Sequence, residues 1–322
     1  MMYRARLCAV AAIVGLLSAV LWGEQPASAP AMPATQPAVG AKKTLSQTYP
    51  RLGLQALAAA NLKTLAEGVI LKAGDLAIKE ADLADQVGKA PEAVREQLKK
   101  NAFFVLEQMA AGKLLLAEAK ATLAKDGKDV SKLADRELLD GMFANLTADL
   151  KVTDPEVADF YAKNKDMVGG QPLEAVKDAI GKHLLQQKQQ EIVNRHIATL
   201  GQRTTIEISA AWAEQQEKLA RDNSVDKARD SGRPSLVDFG AKGCIPCDKL
   251  APILEAMKIK YDGKANVLFI SVREQQILSS RYGIESIPVQ VFFDKDGKEV
   301  FRHTGFWPQE ELEKKLAELG AK

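Results

Sequence analysis

Ser235-Leu236-Val237-Asp238-Phe239-Gly240-Ala241-Lys242-Gly243-Cys244-Ile245-Pro246-Cys247 carries the pattern that decides how the C-terminal part of this chain folds. Its first five residues are a short apolar run, read as a strand, and Asp248 to Lys260 reads as a helix. The two cysteines therefore stand where a strand hands over to a helix, three positions apart. At that spacing they can close a disulfide, and they lie on the positive end of the helix dipole. That field stabilises a thiolate, so Cys244 ionises below the free-thiol value of ~8.5 and becomes a nucleophile near neutral pH. The pair reads as a redox site.

Two other uses of a cysteine pair have less in their favour. A zinc site needs about four ligands, whereas the chain has 3 cysteines and 3 histidines. His183, His196 and His303 show no metal-type spacing, so neither a metal nor another cofactor is expected. A purely structural disulfide would staple only a tiny loop, which stabilises little. Asp238 is the second informative residue. A carboxylate amid Leu236, Val237 and Phe239 is costly to bury, which raises its pKa and makes it a proton acceptor near neutrality. A solvated aspartate at a strand end is the other reading.

The N-terminus bears on compartment. Met1-Met2-Tyr3-Arg4-Ala5-Arg6 is short and basic, Leu7 to Trp22 is apolar without a charge, and Pro26-Ala27-Ser28-Ala29 follows. This is the layout of a secretory signal with an A-x-A-like cleavage site at Ala27-Ser28-Ala29. Pro30 would be an unfavourable first mature residue, and the apolar run approaches the length of a minimal membrane span. Residues 1–24 are thus a cleaved signal or an uncleaved anchor, and both stay open. Cys8 precedes the apolar run rather than ending it, which is not a lipoprotein arrangement. Either way the bulk of the chain is expected to be exported, periplasmic or held at the membrane. Removal of the signal would leave Cys244 and Cys247 as the remaining cysteines. An oxidising compartment permits structural bridges, yet the chain keeps one close pair, which favours a working dithiol. A net charge of +2 with balanced acids and bases gives no argument for nucleic acid as a partner.

At 322 residues the chain has room for two domains. Residues 25–43 are an Ala/Pro tether, too poor in bulky apolar groups to fold. From 44 to 209 the sequence reads mostly helical. Arg51 to Glu67 is Ala/Leu-rich, Val69 to Ile78 reads as two short strands around Gly74-Asp75, and Pro91 to Lys125 is a long periodic stretch ended by Asp126-Gly127. Thr153-Asp154-Pro155-Glu156 is a capping box opening a further helix. Pro172 to Leu200 carries Leu173, Val176, Ile180 and Leu184 at helical spacing. Thr204 to Ile208 reads as a strand able to return to the Val69–Ile78 hairpin. Residues 210–231 are polar and charged, a helical linker that frays before Ser231-Gly232-Arg233-Pro234.

An early strand pair, the segment Val152-Thr153-Asp154-Pro155-Glu156-Val157-Ala158-Asp159-Phe160-Tyr161, a late helix ending in Gln186-Gln187-Lys188-Gln189-Gln190 and a closing strand together resemble the peptide-binding domain of the SurA and PpiC periplasmic chaperones. In that family a parvulin prolyl-isomerase domain follows the helix that opens at the Val-Thr-Asp motif. Here only Val168-Gly169-Gly170 separates Met167 from Gln171. The resemblance implies binding of unfolded clients without isomerase activity. A helical spacer or dimerisation arm is the alternative, since any soluble bundle has amphipathic helices.

Residues 232–322 resemble thioredoxin through Leu236-Val237-Asp238-Phe239, Cys244-Ile245-Pro246-Cys247, Leu250-Ala251-Pro252-Ile253-Leu254, Tyr282-Gly283-Ile284-Glu285-Ser286-Ile287-Pro288 and His303-Thr304-Gly305. The order of elements agrees: strand, helix and apolar run Ala265 to Val272 as a parallel crossover, a hairpin from Val289 to Thr304 turning at Asp294-Lys295-Asp296-Gly297, and a closing helix from Pro308 to Leu319. The expected fold class is multidomain, a mainly helical SurA-like module followed by an α/β thioredoxin fold. The resemblance implies that Cys244 attacks, Cys247 resolves, Asp238 helps deprotonate Cys247, and Pro288 follows a cis peptide bond. It also implies that the main chain of Ile287 pairs with an extended substrate, with Ile245, Pro246 and Gly305 around it. Thioredoxins usually carry tryptophan at the positions of Gly240 and Gly243 and glycine at that of Ile245. Those departures, with Gln290-Val291-Phe292-Phe293 and Gly305-Phe306, look more like exported thioredoxins fed by membrane transporters of the CcdA type. The expected function is an exported thiol–disulfide oxidoreductase acting on unfolded or disulfide-containing clients. The alternative is a redox-independent holdase chaperone or adaptor that uses the thioredoxin fold as a binding platform.

Overall fold

The computed structural model describes residues 43–125, 127, 129–163 and 170–321. The expected signal or anchor at 1–24, the tether up to 42, Asp126 and the short Met167–Gly169 connection lie outside the described residues. Two compact units emerge. One combines 43–227 with Glu274–Gly283, and the other combines Ala228–Arg273 with the chain from Ile284 onward.

The first unit is helix-rich around a small sheet. Its elements are α1 (Leu45–Thr48), β1 (Asn61–Lys63), β2 (Val69–Ala73), β3 (Leu76–Lys79), α2 (Glu80–Lys89), α3 (Glu92–Lys100), α4 (Ala102–Lys125), α5 (Asp135–Thr147), α6 (Asp154–Lys163), α7 (Leu173–Arg203), β4 (Glu207–Ser209) and α8 (Ala210–Ala220). The sheet order is β1-β4-β2-β3. The strand after α7 does return to the hairpin, with Ile208 opposite Leu71. Helix α4 buries Phe103, Leu106, Ala110, Leu115, Ala119 and Leu123. Apolar residues on more than one face make it the central helix of the unit, packed against α2, α3, α5, α7 and α8.

Three features differ from the sequence reading. The Ala/Leu-rich stretch 51–67 is not helical: a 3-10 turn at Pro50–Leu52 leads into a loop and then β1. The backbone amides of Gln55 and Leu57 donate to Glu107 Oε1 of α4 at 2.6 and 3.2 Å, and Gly201 of α7 lies against the Ala56 backbone. A distant carboxylate satisfies the donors that a helix would otherwise have paired. The periodic stretch 91–125 divides at Asn101, whose side chain bonds back to the Gln97 carbonyl at 2.8 Å. The late helix continues past Gln190 to Arg203. At Thr153, the backbone amide donates to Glu156 Oε2 at 2.8 Å and the hydroxyl to the same oxygen at 3.0 Å, which ties the start of α6.

Residues 210–231 hold α8 and then α9 (Ser224–Arg229). Trp212, Ala213, Ala220, Val225, Asp226 and Ala228 are buried there. Most of the polar residues that give the stretch its solvated look lie on the outer faces of two helices, while Gln216 and Asp226 are buried.

The second unit comprises β5 (Ser235–Gly240), α10 (Ile245–Lys260), β6 (Asn266–Ser271), β7 (Val289–Phe293), β8 (Glu299–Thr304) and a terminal helix, Gln309–Glu318. The sheet runs β6-β5-β7-β8. β5 pairs parallel with β6 and antiparallel with β7, which forms a hairpin with β8. All residues of β5 and β7 are buried, as expected of central strands covered on both faces. Leu236, Leu250, Leu254, Met257, Phe292, Leu312 and Leu316 form the core beneath them, each worth about 1.5–3 kcal/mol of buried apolar surface. Between β6 and β7, helix α11 (Gln276–Arg281) belongs by its packing to the helix-rich unit, with Ile277 in that unit's core.

Candidate functional site

The site forms where β5 ends and α10 begins. Gly240 closes β5, Gly243 adopts φ +82°, and Cys244 caps the helix with extended backbone. A positive φ suits glycine, which has no Cβ to clash. Pro246 sits in the first turn, where its missing amide costs nothing. The helix runs on through Pro252 to Lys260. Asp248, in the same first turn, accepts from the Gly243 amide at 3.3 Å and steadies the entry loop.

Cys244 and Cys247 are joined as a disulfide, with their Cα atoms 5.2 Å apart. Their surroundings differ. Cys244 is half-buried, while Cys247 is 3% exposed beneath the helix turn. Ile245 between them is 73% exposed. In the reduced protein the sulfur at the rim can meet a partner, and the inner one can meet only what the domain brings to it.

Asp238 lies in the middle of β5 with no exposed surface. The solvated alternative therefore does not hold. Burial pushes its carboxyl up to about 6, partly opposed by a hydrogen bond from Gln290 Nε2 to Oδ1 at 2.8 Å. A Cβ built on Gly240 would stand 3.3 Å from Asp238 Oδ2, 3.4 Å from Cys247 Cβ and 3.0 Å from the Phe269 ring. The carboxylate and the inner cysteine thus border the same small space, which the glycine leaves open.

The Ile287–Pro288 peptide bond is cis. The Pro288 carbonyl accepts from the Gly305 amide at 2.8 Å, which ties the loop before β7 to the end of β8. Gly305 has φ +99°, and Phe306 beside it is 42% exposed. Ile287 is half-buried. His303 is not near a metal-type cluster; its ring stacks on Trp307 with centroids 4.8 Å apart. His196 pairs with Glu118 at 2.6 Å, and His183 packs on Phe160, both in the helix-rich unit.

A family model described as a thioredoxin-like domain matches residues 221–320. A thioredoxin from Staphylococcus epidermidis is 42% identical over 91 residues, spanning 28% of this chain and 86% of that protein. The chain belongs to the thioredoxin family. A Staphylococcus aureus thioredoxin is 41% identical over the same length. The solved thioredoxin NaTrxh from Nicotiana alata is 30% identical and aligns over 29% of this chain and 79% of that one, with a TM-score of 0.27. Thioredoxin-like proteins act on disulfide-containing substrates, and at the level of the family this domain is a thiol–disulfide oxidoreductase domain.

Two residues of this thioredoxin-like site escaped the sequence reading. Phe269 stands opposite Asp238 on β6 and borders the space at Gly240. A bulky side chain at 240 would run into its ring. Gln290 stands opposite Asp238 on β7. Its one legible signal was a lone amide in the apolar run Val289 to Phe293.

Proposed function

We propose that this chain is an exported thiol–disulfide oxidoreductase that reduces or isomerises protein disulfides, with the helix-rich module holding unfolded clients. The observation that carries the reading is the Cys244–Cys247 pair with one sulfur at the rim and the other buried beside Asp238. In the reduced protein the Cys244 thiolate attacks a client disulfide. One S–S bond breaks, a mixed disulfide forms, and the first client sulfur leaves and takes a proton. Cys247 then passes its proton to Asp238, and its thiolate attacks Cys244 Sγ. The Cys244–Cys247 bond forms as the second client sulfur leaves. Two electrons have passed from the protein to the client, and a dithiol donor must restore them; a membrane donor of the CcdA type fits an exported domain. If a client thiol attacks the mixed disulfide before Cys247 does, the outcome is isomerisation. The main chain of Ile287 and the apolar rim of Ile245, Pro246, Gly305 and Phe306 receive the client segment.

The client-holding role rests on the SurA- and PpiC-like segment order, and the pairing of β4 with β2 agrees with it. Export, to the periplasm or to a membrane-anchored position, rests on residues 1–24. Insulin reduction by dithiothreitol tests the redox reading with the full chain. Turnover should exceed that of Cys244→Ser, and Cys247→Ser should accumulate covalent client complexes. Equal turnover by the chain and Cys244→Ser would leave the holdase or adaptor reading. The double Cys→Ser chain should still suppress light scattering by a reduced, unfolded protein. If it does not, the helix-rich unit is a spacer.

A further inference from the structure

Asp238 and Gln290 face each other across β5 and β7, and both are fully buried. Gln290 Nε2 donates to Asp238 Oδ1, while Asp238 Oδ2 and Gln290 Oε1 are buried without a hydrogen-bond partner. The other elements packed on Asp238 offer little polarity. β6 contributes the Phe269 ring, and α10 contributes Cys247, whose thiol in the reduced protein is the titratable group facing the carboxylate. Among the described residues, burial and the Gln290 amide are what shift the Asp238 carboxyl.

A carboxylic acid carries its proton on one oxygen. Oδ1 already receives an amide N–H, and a proton placed there would confront that donor. Oδ2 is the oxygen without such a donor, and it is the one that borders the Gly240 space beside Cys247.

We propose that Gln290 is a positioning residue for the resolving step: by occupying Oδ1 it assigns the proton from Cys247 to Oδ2 of Asp238. The inference rests on the dithiol reaction proposed above. In that step the Cys247 S–H bond breaks, Oδ2 gains the proton, the thiolate bonds to Cys244 Sγ, and the client sulfur leaves with the electron pair of the mixed disulfide. The same amide stabilises the Asp238 anion, so its removal makes the carboxyl harder to ionise. A hydrogen bond to a charged group converts to a shift of about one to two pH units.

The test is the rate of mixed-disulfide closure in the full chain, with an aromatic thiol on Cys244 and release followed by its absorbance from about pH 5 to 9. For Gln290→Leu the acid limb should move up by about one to two units, slowing closure roughly fivefold or more near pH 6 while sparing it near pH 9. In an Asp238→Asn background the same substitution should change nothing further. Gln290→Met, which keeps the side-chain length, should reproduce the shift, so that a folding defect of the leucine variant does not decide the matter. An equal slowing at every pH, or an additive loss in the Asp238→Asn background, overturns the inference. An altered Asp238→Asn profile beside an unshifted Gln290→Leu and Gln290→Met profile overturns it alone. If Asp238→Asn leaves rate and profile unchanged, the base role itself falls, and this inference with it.

Discussion

Arg281→Met should destabilise the helix-rich unit far more than a typical surface substitution. Arg281 closes α11 with a side chain 5% exposed, paired at 2.6 Å with Asp226, which is fully buried. Its guanidinium also donates to the Ala220 carbonyl at 2.6 Å and the Arg51 carbonyl at 3.1 Å. Asp226 would keep the amide of Asn223 at 2.6 Å and the hydroxyl of Tyr282 at 3.2 Å. Removing one member of a buried ion pair costs about 3–5 kcal/mol, because the other charge remains buried. With a urea dependence of about 3 kcal/mol per molar, the midpoint of unfolding should fall by roughly 1–2 M. Urea titration followed by far-ultraviolet circular dichroism reads this, since the unit holds most of the helix. The charge argument makes a second demand. The double variant Asp226→Leu with Arg281→Met removes both charges and should recover much of the loss. A single variant within roughly 0.3 M of the parent, or a double variant as unstable as the two single losses combined, would refute the reasoning.

Other outcomes follow from the same contacts. Asp238 has a raised carboxyl in the folded state, so the folded protein holds that proton more tightly than the unfolded chain does. Its contribution is therefore favourable at low pH and is lost as pH rises from the unfolded value of ~3.9 through about 6. Asp238→Asn in the oxidised protein should accordingly gain about 2–3 kcal/mol near pH 7.5 and almost nothing near pH 4; a gain independent of pH would contradict this. Gly201→Ala places a methyl group in the Ala56 carbonyl, where backbone must move, and should cost about 1–3 kcal/mol or more by thermal unfolding. An unchanged melting temperature would show that the 51–67 loop yields freely. Ile245-Pro246 offers no charged or hydrogen-bonding side chain to hold a Cys244 thiolate. Glutathione equilibration should therefore give a potential nearer thioredoxin's, about −270 mV, than the oxidising value of DsbA, about −120 mV. The oxidising value would reverse the direction of electron flow.

What the sequence determined by itself is local. The strand, glycine-rich turn, Cys-Ile-Pro-Cys and helix order lies within about two dozen residues, and apolar alternation, turn residues and proline placement announce each part. The hairpin turning at Gly74-Asp75 and the one turning at Asp294–Gly297 were legible for the same reason. So was the cost of burying Asp238, whose immediate neighbours in the chain are apolar.

Tertiary structure decided the rest, because those outcomes depend on groups far away in the chain. The stretch 51–67 has helix-forming composition, yet Glu107 captures its amides from about fifty residues on. Gln290 is separated from Asp238 by 52 positions, and only the β5–β7 register makes it the carboxylate's donor. Helix α11 lies in sequence between two strands of the redox sheet but packs with the helix-rich unit through Ile277 and the Arg281–Asp226 pair. A buried charge or backbone donor must find a partner wherever the fold supplies one, and no local pattern names that partner in advance.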